Sequence, residues 1–325
     1  MTEPSTLLIL PRLRVQNANA ISGVLTWGFP AMTAFVGLMH ALERKCVAHG
    51  LEVAFPGIGV VCHQHEAQVT TGGYTRAFHL TRNPVDKTGK TAAIVEEGRI
   101  HLEISLILEV DLQDMRLSSD QDKAEFAERV AELLTTLRVA GGTIQPPLPG
   151  KRQHRPSLLA VDSSPEVRMR QLRRLRQQLL PGFALVLRDD LLQQHLGTMR
   201  KTDPDADLLD AWLDLSRLNH ECRATDEGIE WLIRRDYPGW LVPIPIGFTA
   251  LSELYGAGEV EAARDPTTPF RFVEGIYSLG QWVSPHRFNA FNDFLWYVDN
   301  DPDTGIYRLN NDYHLTAQRD EEKEL

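Results

Sequence analysis

The chain has 325 residues, of which 42% are hydrophobic and 24% charged, and 34 Lys+Arg against 44 Asp+Glu leave a formal net charge of −10. That is ordinary globular composition, long enough for one large domain or two smaller ones. No apolar run reaches bilayer-spanning length and MTEPST lacks a basic signal-peptide start, so no membrane partner and a cytoplasmic location are expected.

Leu7–Val15 reads as a strand interrupted by Pro11, followed by a polar loop, QNANAIS. A Trp-Gly-Phe-Pro turn then feeds a helix over Ala31–Ala48, with Pro30 suited to the first helical position and Met32, Phe35, Leu38, Met39 and Leu42 on one face. A strand around IGVVC falls within Val53–Val69. The insertion from Thr70 to Gly98 has turn signals at Gly72-Gly73, Asn83-Pro84 and Lys87–Gly89, and its basic residues are Arg76, Arg82, Lys87, Lys90 and, just beyond, Arg99. It reads as a long protruding β-hairpin. His101–Val110 is a strand, Lys123–Val139 a helix broken by Gly141-Gly142, and Thr143-Ile144 opens a last strand. The order β–α–β–β–α–β predicts an α+β, ferredoxin-like (RRM-like) split βαβ core over 1–150, with a thumb at about 70–98.

Gln145–Pro156 is proline-rich and polar, a domain boundary on composition. Beyond it, 151–325 reads as a helical basic block followed by a mixed α/β region. Eight Lys/Arg fall between Lys151 and Arg176, against Asp162 and Glu166, and a helix over Pro165–Leu180 carries most of them. FALVLR is strand-like. Helices follow at Asp190–Arg200 and Ala206–Leu218, then strands GWLVPIPIGF and RFVEGIYSLGQWV, then an aromatic helix over Pro285–Val298. The stretch Asp203–Asp214 and the C-terminal tail are acidic. Such a chain can present a basic stripe to a polyanion and an acidic face to a basic protein.

Chemistry-bearing residues favour binding over turnover. Gln16, Asn17 and Asn19 offer donors and acceptors for base edges but no proton transfer near pH 7. Their bland alternative is capping the loop backbone. Paired glycines, Gly141 and Gly142, permit close backbone approach to a phosphate or sugar, or a helix C-cap. His63-x-His65 is a weak metal pattern without a third ligand. Cys46, Cys62 and Cys222 form no C-x-x-C pair, so neither a structural metal nor a cofactor is expected. His40 with His63 or Tyr74 keeps an RNA-cleaving alternative open. The sheet lacks the alternating aromatics of an RNA-recognition module, so bases are not expected to stack across it.

LPRLRVQNANAIS, LTWGFP, HLTRNP, AAIVEEGR, LRVAGGTI, LLPGFALV, GWLVPIP and WVSPHR, in that order, resemble the Csy-type (type I-F) CRISPR effector subunit that caps the 5′ end of the guide RNA. That family lies in the repeat-associated RNA-binding superfamily. The resemblance implies a non-catalytic subunit holding the 5′ handle of the guide. It also implies pairing with the large subunit, contact with the repeating backbone subunit, target DNA engaged through the complex, and exposure to phage anti-CRISPR proteins. The thumb would press over the guide where handle meets spacer. Candidate RNA contacts are Gln16, Asn17, Asn19, Ser22, Trp27, Arg76, Arg82, Asn83, Arg99, Gly141, Gly142, His286 and Arg287. The other readings are a guide-processing endoribonuclease and a protein scaffold without direct RNA contact.

Overall fold

The first strand, β1 (Thr6–Asn19), serves two cores at once. Leu8 and Leu10 join the core beneath helices α1 (Met32–Ala48) and α2 (Asp120–Thr135). Leu7 and Ile9 join the core beneath helix α3 (Pro165–Gln178). A strand covered on both faces needs a continuous apolar run, which LLIL supplies. The computed structural model describes residues 3–73, 75–81, 85, 88–91, 93–113, 115, 117–146, 154–225, 228–234, 236–263 and 265–315.

The first half continues with β2 (Ile58–Ala67), β3 (Val69–Gly72), β4 (Thr75–Thr81), β5 (Val95–Glu97), β6 (Arg99–Glu109), β7 (Arg138–Val139) and β8 (Gly142–Ile144). Strands β8, β1, β6 and β2 lie side by side in that order, each antiparallel to its neighbour. The Thr70–Gly98 insertion is a small three-stranded sheet, β3-β4-β5, rather than a single hairpin. Its arms part after Gln68, whose N–H donates to the Arg99 carbonyl at 2.8 Å. Strand β4 fills the gap, pairing with β3 across the Gly73 turn (φ +61°) and with β5 through His79–Thr81.

The second half contributes β9 (Ser157–Ala160), β10 (Phe183–Leu187), helices α4 (Asp189–Met199) and α5 (Leu208–Ser216), β11 (Asn219–Thr225), β12 (Gly228–Arg234), β13 (Trp240–Ala250), β14 (Val273–Val283), β15 (Trp296–Asp301) and β16 (Ile306–Asn311). Strands β10-β14-β13-β16-β15 run back to β2, and β10 also pairs with β2 at Phe183↔Cys62 and Ala184↔Val61. Six strands thus close a ring that shares β2 with the first half. The whole is α+β, built on one large antiparallel sheet. The β11–β12 hairpin, to which the sequence reading assigns no element, stands apart from that sheet.

The helix expected over Pro285–Val298 does not form. Two 3-10 turns, Pro285–Arg287 and Phe291–Phe294, lead into β15 instead. The Asp293 carboxylate accepts from the Asn289 and Ala290 N–H groups at 2.7 and 2.9 Å, which fixes the bend between the turns. A three-residue aromatic spacing suits a 3-10 turn as well as a helix, and Phe288, Phe291 and Phe294 are buried in the core under α3. Pro30 lies one residue ahead of the α1 N-cap, Ala31, not at the first helical position. Helix α2 starts at Asp120 because Ser119 and Asp122 cap each other reciprocally, and it ends at Thr135, short of Val139.

Candidate nucleic-acid interface

Gln16, Asn17 and Asn19 are not a loop. A bulge between Val15 and Ala18, with Asn17 at φ +59°, carries β1 on to Asn19; asparagine tolerates that left-handed geometry. The three amides do different jobs. Asn19 Nδ2 donates to the Ile21 carbonyl at 2.8 Å while its Oδ1 accepts from the Ile21 N–H at 3.0 Å, so the side chain is spent on turning the chain. Gln16 Oε1 accepts from Gln145 Nε2 at 3.0 Å. Asn17 uses its backbone, donating to His101 Nδ1 at 3.1 Å, and its amide side chain has no partner among the described residues.

The glycine pair closes a hairpin between β7 and β8, not the C-terminus of α2. Ala140 (φ +46°) and Gly141 (φ +79°) are both left-handed, the requirement of a two-residue type I′ turn. The two glycines part company there. Gly141 is exposed with open space around its Cα, whereas Gly142 is buried and a Cβ on it would lie 2.7 Å from Ala18 N. Gly142 is therefore a packing residue. The Ala140 carbonyl accepts from the Asn19 N–H at 2.8 Å and locks the turn to the end of β1.

This lock creates two adjoining cavities. One, of about 550 Å³, is lined by Asn19, Ser22, Arg99 and Gly141 together with Glu96 and Glu97. The other, of about 390 Å³, is lined by Gln16, Asn17, His79, Arg99 and Gly141. Arg99 stands between them, paired with Glu97 at 2.9 Å, and its Nη1 reaches the Asn17 carbonyl at 3.5 Å. Sequence reasoning missed both glutamates, which fall at the end of the Thr70–Gly98 insertion. A guanidinium neutralised by a carboxylate is a weak phosphate trap. Amide, carboxylate and guanidinium together match base edges, where glutamate accepts from an amino group and arginine donates.

Trp27 and Arg76 line a third cleft at the base of the thumb, about 420 Å³, which Ser22 joins to the first cavity. Trp27 meets Phe78 edge-on at 5.4 Å, and Gly98 lies where a Cβ would strike Ile21 at 2.6 Å. Arg82 and Asn83 lie outside the described residues. His286 and Arg287 are exposed on the first 3-10 turn, against α3 and away from these cavities. Beside them Arg170, Arg173 and Arg174 are exposed, while Arg168 pairs with Glu3 and Arg176 donates to the Phe288 carbonyl at 2.9 Å.

His63 belongs to the scaffold. It contacts the Pro181 carbonyl through Nδ1 at 2.7 Å and the Ser105 hydroxyl through Nε2 at 2.7 Å. A carbonyl only accepts, so the proton sits on Nδ1 and Nε2 accepts from Ser105. Burial pushes the imidazole down to about 4. Burial likewise pushes the Cys46 thiol up to about 11 and Cys62 up to about 12, so both stay protonated. Among the described residues the one three-ligand cluster is His195, Asp214 and Asp236. Arg217 and Arg234 already pair with Asp214 at 2.6 and 3.1 Å, which makes it an ionic clasp at the root of the β11–β12 hairpin.

The family model described as CRISPR-associated protein (Cas_Csy2) matches residues 8–309. CRISPR-associated protein Csy2 of Pseudomonas aeruginosa (strain UCBPP-PA14) is 50% identical over 323 residues, a match covering 95% of this chain and 96% of that protein. The matched span takes in every strand of the large sheet except the first two residues of β1 and the last two of β16, and both cavities around Gly141. The chain belongs to the Csy2 family of CRISPR-associated proteins, subunits of the type I-F Csy complex.

Proposed function

We propose that this chain holds the 5′ handle of a CRISPR guide RNA in the paired cavities around Gly141, as a non-catalytic cytoplasmic subunit. The observation that carries the reading is the convergence of three segments distant in sequence, Gln16–Ser22, Arg99 and Gly141, on two adjoining polar cavities. Single-stranded RNA with splayed bases is the usual target of sequence-specific RNA recognition, and these cavities offer base-edge partners beside an exposed left-handed glycine. The β8-β1-β6-β2 order supports a ferredoxin-like core of the RNA-recognition kind. Strand β4 and its neighbours act as the thumb over the junction of handle and spacer. The large subunit and the first backbone subunit are the protein partners, and target DNA is met through the complex, where guide pairing reads sequence.

Against turnover stands His63, neutral near pH 7 with both ring nitrogens engaged inside the protein. The deciding experiment purifies the Csy complex through this chain and sequences the bound RNA. A discrete guide, lost on Asn17→Ala with Arg99→Ala while the chain stays folded, supports the reading. A complex that retains its guide unchanged with both substitutions overturns it. Labelled repeat RNA incubated with the purified chain should remain intact with or without a chelator.

A further inference from the structure

Phe183 and Trp240 reach solvent on the wall of the thumb-side cleft, which belongs with the cavities already described. The β11–β12 hairpin exposes a second apolar surface, which the proposed function leaves unused. Its register puts Cys222 opposite Trp231, Ala224 opposite Ile229 and His220 opposite Ile233, so these six side chains share one face. Asn219, Glu221, Arg223, Glu230, Leu232 and Arg234 share the other.

The two faces are the wrong way round for a hairpin serving its own protein alone. The polar face turns inward. Arg234 Nη2 and Asn219 Nδ2 donate to the Asp214 carboxylate on α5 at 3.1 and 3.2 Å, and Arg234 also pairs with Glu221 and Asp236. The apolar face turns outward, leaving Ile229 73%, Trp231 65% and Ile233 49% exposed. An antiparallel pair with one face in water ordinarily presents its polar side there. An apolar side presented instead marks a surface that a partner covers. The clasp holds the hairpin in that pose, with His195 Nε2 also donating to Asp214 at 2.8 Å.

Strand β12 pairs with β11 alone among the described residues, so half of its N–H and C=O groups point off an open edge. Its sequence, GIEWLIR, carries no Pro or Lys and its register no bulge, the usual guards of such an edge. A lone two-stranded hairpin is marginal in water, and a third strand completes it. On the inner face Arg223 turns to Glu221 at 3.6 Å, and Glu230, opposite Arg223, has no ion pair among the described residues. A strand added beside β12 therefore meets apolar side chains on one face and an unneutralised carboxylate on the other. No Lys or Arg stands on the outer face to hold a phosphate, so a nucleic-acid strand does not fit it. A second copy would bring Glu230 and a net charge of −10 against their own likeness.

We propose that β12 takes a third strand from another protein subunit of the complex, an extended segment in which apolar residues alternate with Lys or Arg. The apolar residues continue the face made by Ile229, Trp231 and Ile233, and a basic one pairs with Glu230. The proposal rests on membership of the Csy complex and is independent of the RNA-handle reading.

The test replaces Trp231 by the photo-crosslinking residue p-benzoylphenylalanine in the guide-loaded complex and sequences the crosslinked peptide. The expected product joins β12 to an alternating apolar and basic segment of a different protein subunit. Amides of β12 should exchange at least about tenfold more slowly in the complex than in the chain alone. Ile229→Glu with Ile233→Glu should leave melting unchanged, since both side chains face solvent, and should loosen that subunit by about 30-fold, the loss of one interface anchor. Glu230→Lys should slow its association. Absence of a crosslink to a different protein subunit, whether the product is RNA, this chain or a second copy of it, overturns the proposal. So does equal β12 exchange in the free and assembled chain, or normal assembly of the double-glutamate variant. Guide retention, measured on the same samples, judges the handle reading separately.

Discussion

The cavities around Gly141 and the arginine face of α3 mark opposite ends of β1. Asn19 borders the first, and Leu7 and Ile9 pack under the second. At roughly 3.3 Å per residue some 30 Å of strand separates them. Their electrostatics differ as much as their positions. Arg99 is half-buried and held by Glu97 at 2.9 Å, while Arg170, Arg173 and Arg174 face solvent with no ion pair among the described residues. The first arrangement discriminates between chemical groups at short range and is little affected by salt. The second attracts any polyanion, and added salt screens it. Density of charge along a sequence therefore points to the less selective of the two surfaces.

The largest effect expected is on the scaffold beneath the cavities. Gly142→Val forces a side chain against Ala18 and Val15 and should cost about 3 kcal/mol of stability. Gly141→Ala, strained only by its φ of +79°, should cost about 1–2 kcal/mol. Thermal melting of the two variants checks the order, and equal melting would remove the division of labour between neighbouring glycines. Next, Asn17→Ala with Arg99→Ala should weaken handle binding by about 1–3 kcal/mol with an unchanged dependence on salt, read by titration at several ionic strengths.

Acidification should tell the regions apart from another direction. His63 ties β2 to the segment that follows α3, and burial holds it at about 4. Between its ordinary value near 6.5 and that value the unfolded chain binds more protons than the folded one. Stability is therefore full above about pH 6.5 and falls as pH drops toward 4, by about 1–2 kcal/mol once solvent screening is allowed for. Hydrogen exchange should show protection lost first at the C-terminal end of α3, and His63→Gln should flatten the slope. The smallest effect belongs to the arginine face. Arg170→Ala, Arg173→Ala and Arg174→Ala together should leave melting and handle discrimination unchanged. They should lower the slope of log affinity against log salt by up to about 2, at about 0.7 for each phosphate no longer neutralised.

Much of the fold is legible in the chain because periodicity records burial. The helices at α1, α2, α3, α4 and α5 and the strands at β6, β13 and β14 carry their patterns openly. What fails is wherever one pattern serves two structures. Phe288, Phe291 and Phe294 have a spacing that a helix and a pair of 3-10 turns satisfy equally, and only Asp293 bonding to the backbone decides. Ala140-Gly141 looks like the end of a helix until the β-prone residues on either side, Arg138-Val139 and Thr143-Ile144, are weighed as a hairpin. Of the candidate contacts, Gln16, Asn17, Asn19, Ser22, Arg99 and Gly141 gather around one turn, whereas His286 and Arg287 lie with α3. Phe183 and Trp240 had no local signal, since partners brought together by ring closure leave none, whereas Glu97 lay only two residues from its partner Arg99.

That closure has a kinetic side. Strand β2 is made early, yet its outer neighbours β10 and β15 arrive only as the last half of the chain is synthesised, and Trp296 pairs with Ile58. At 5–20 residues per second the ribosome leaves one edge of β2 unpaired for roughly 10–50 s. Pairings so distant in sequence also slow folding after release. The thumb-side cleft, whose walls come from β10 and β13, has no shape until then. Any ligand of that cleft therefore meets only the finished polypeptide, and until then the nascent chain carries an open strand edge of the kind that invites mispairing.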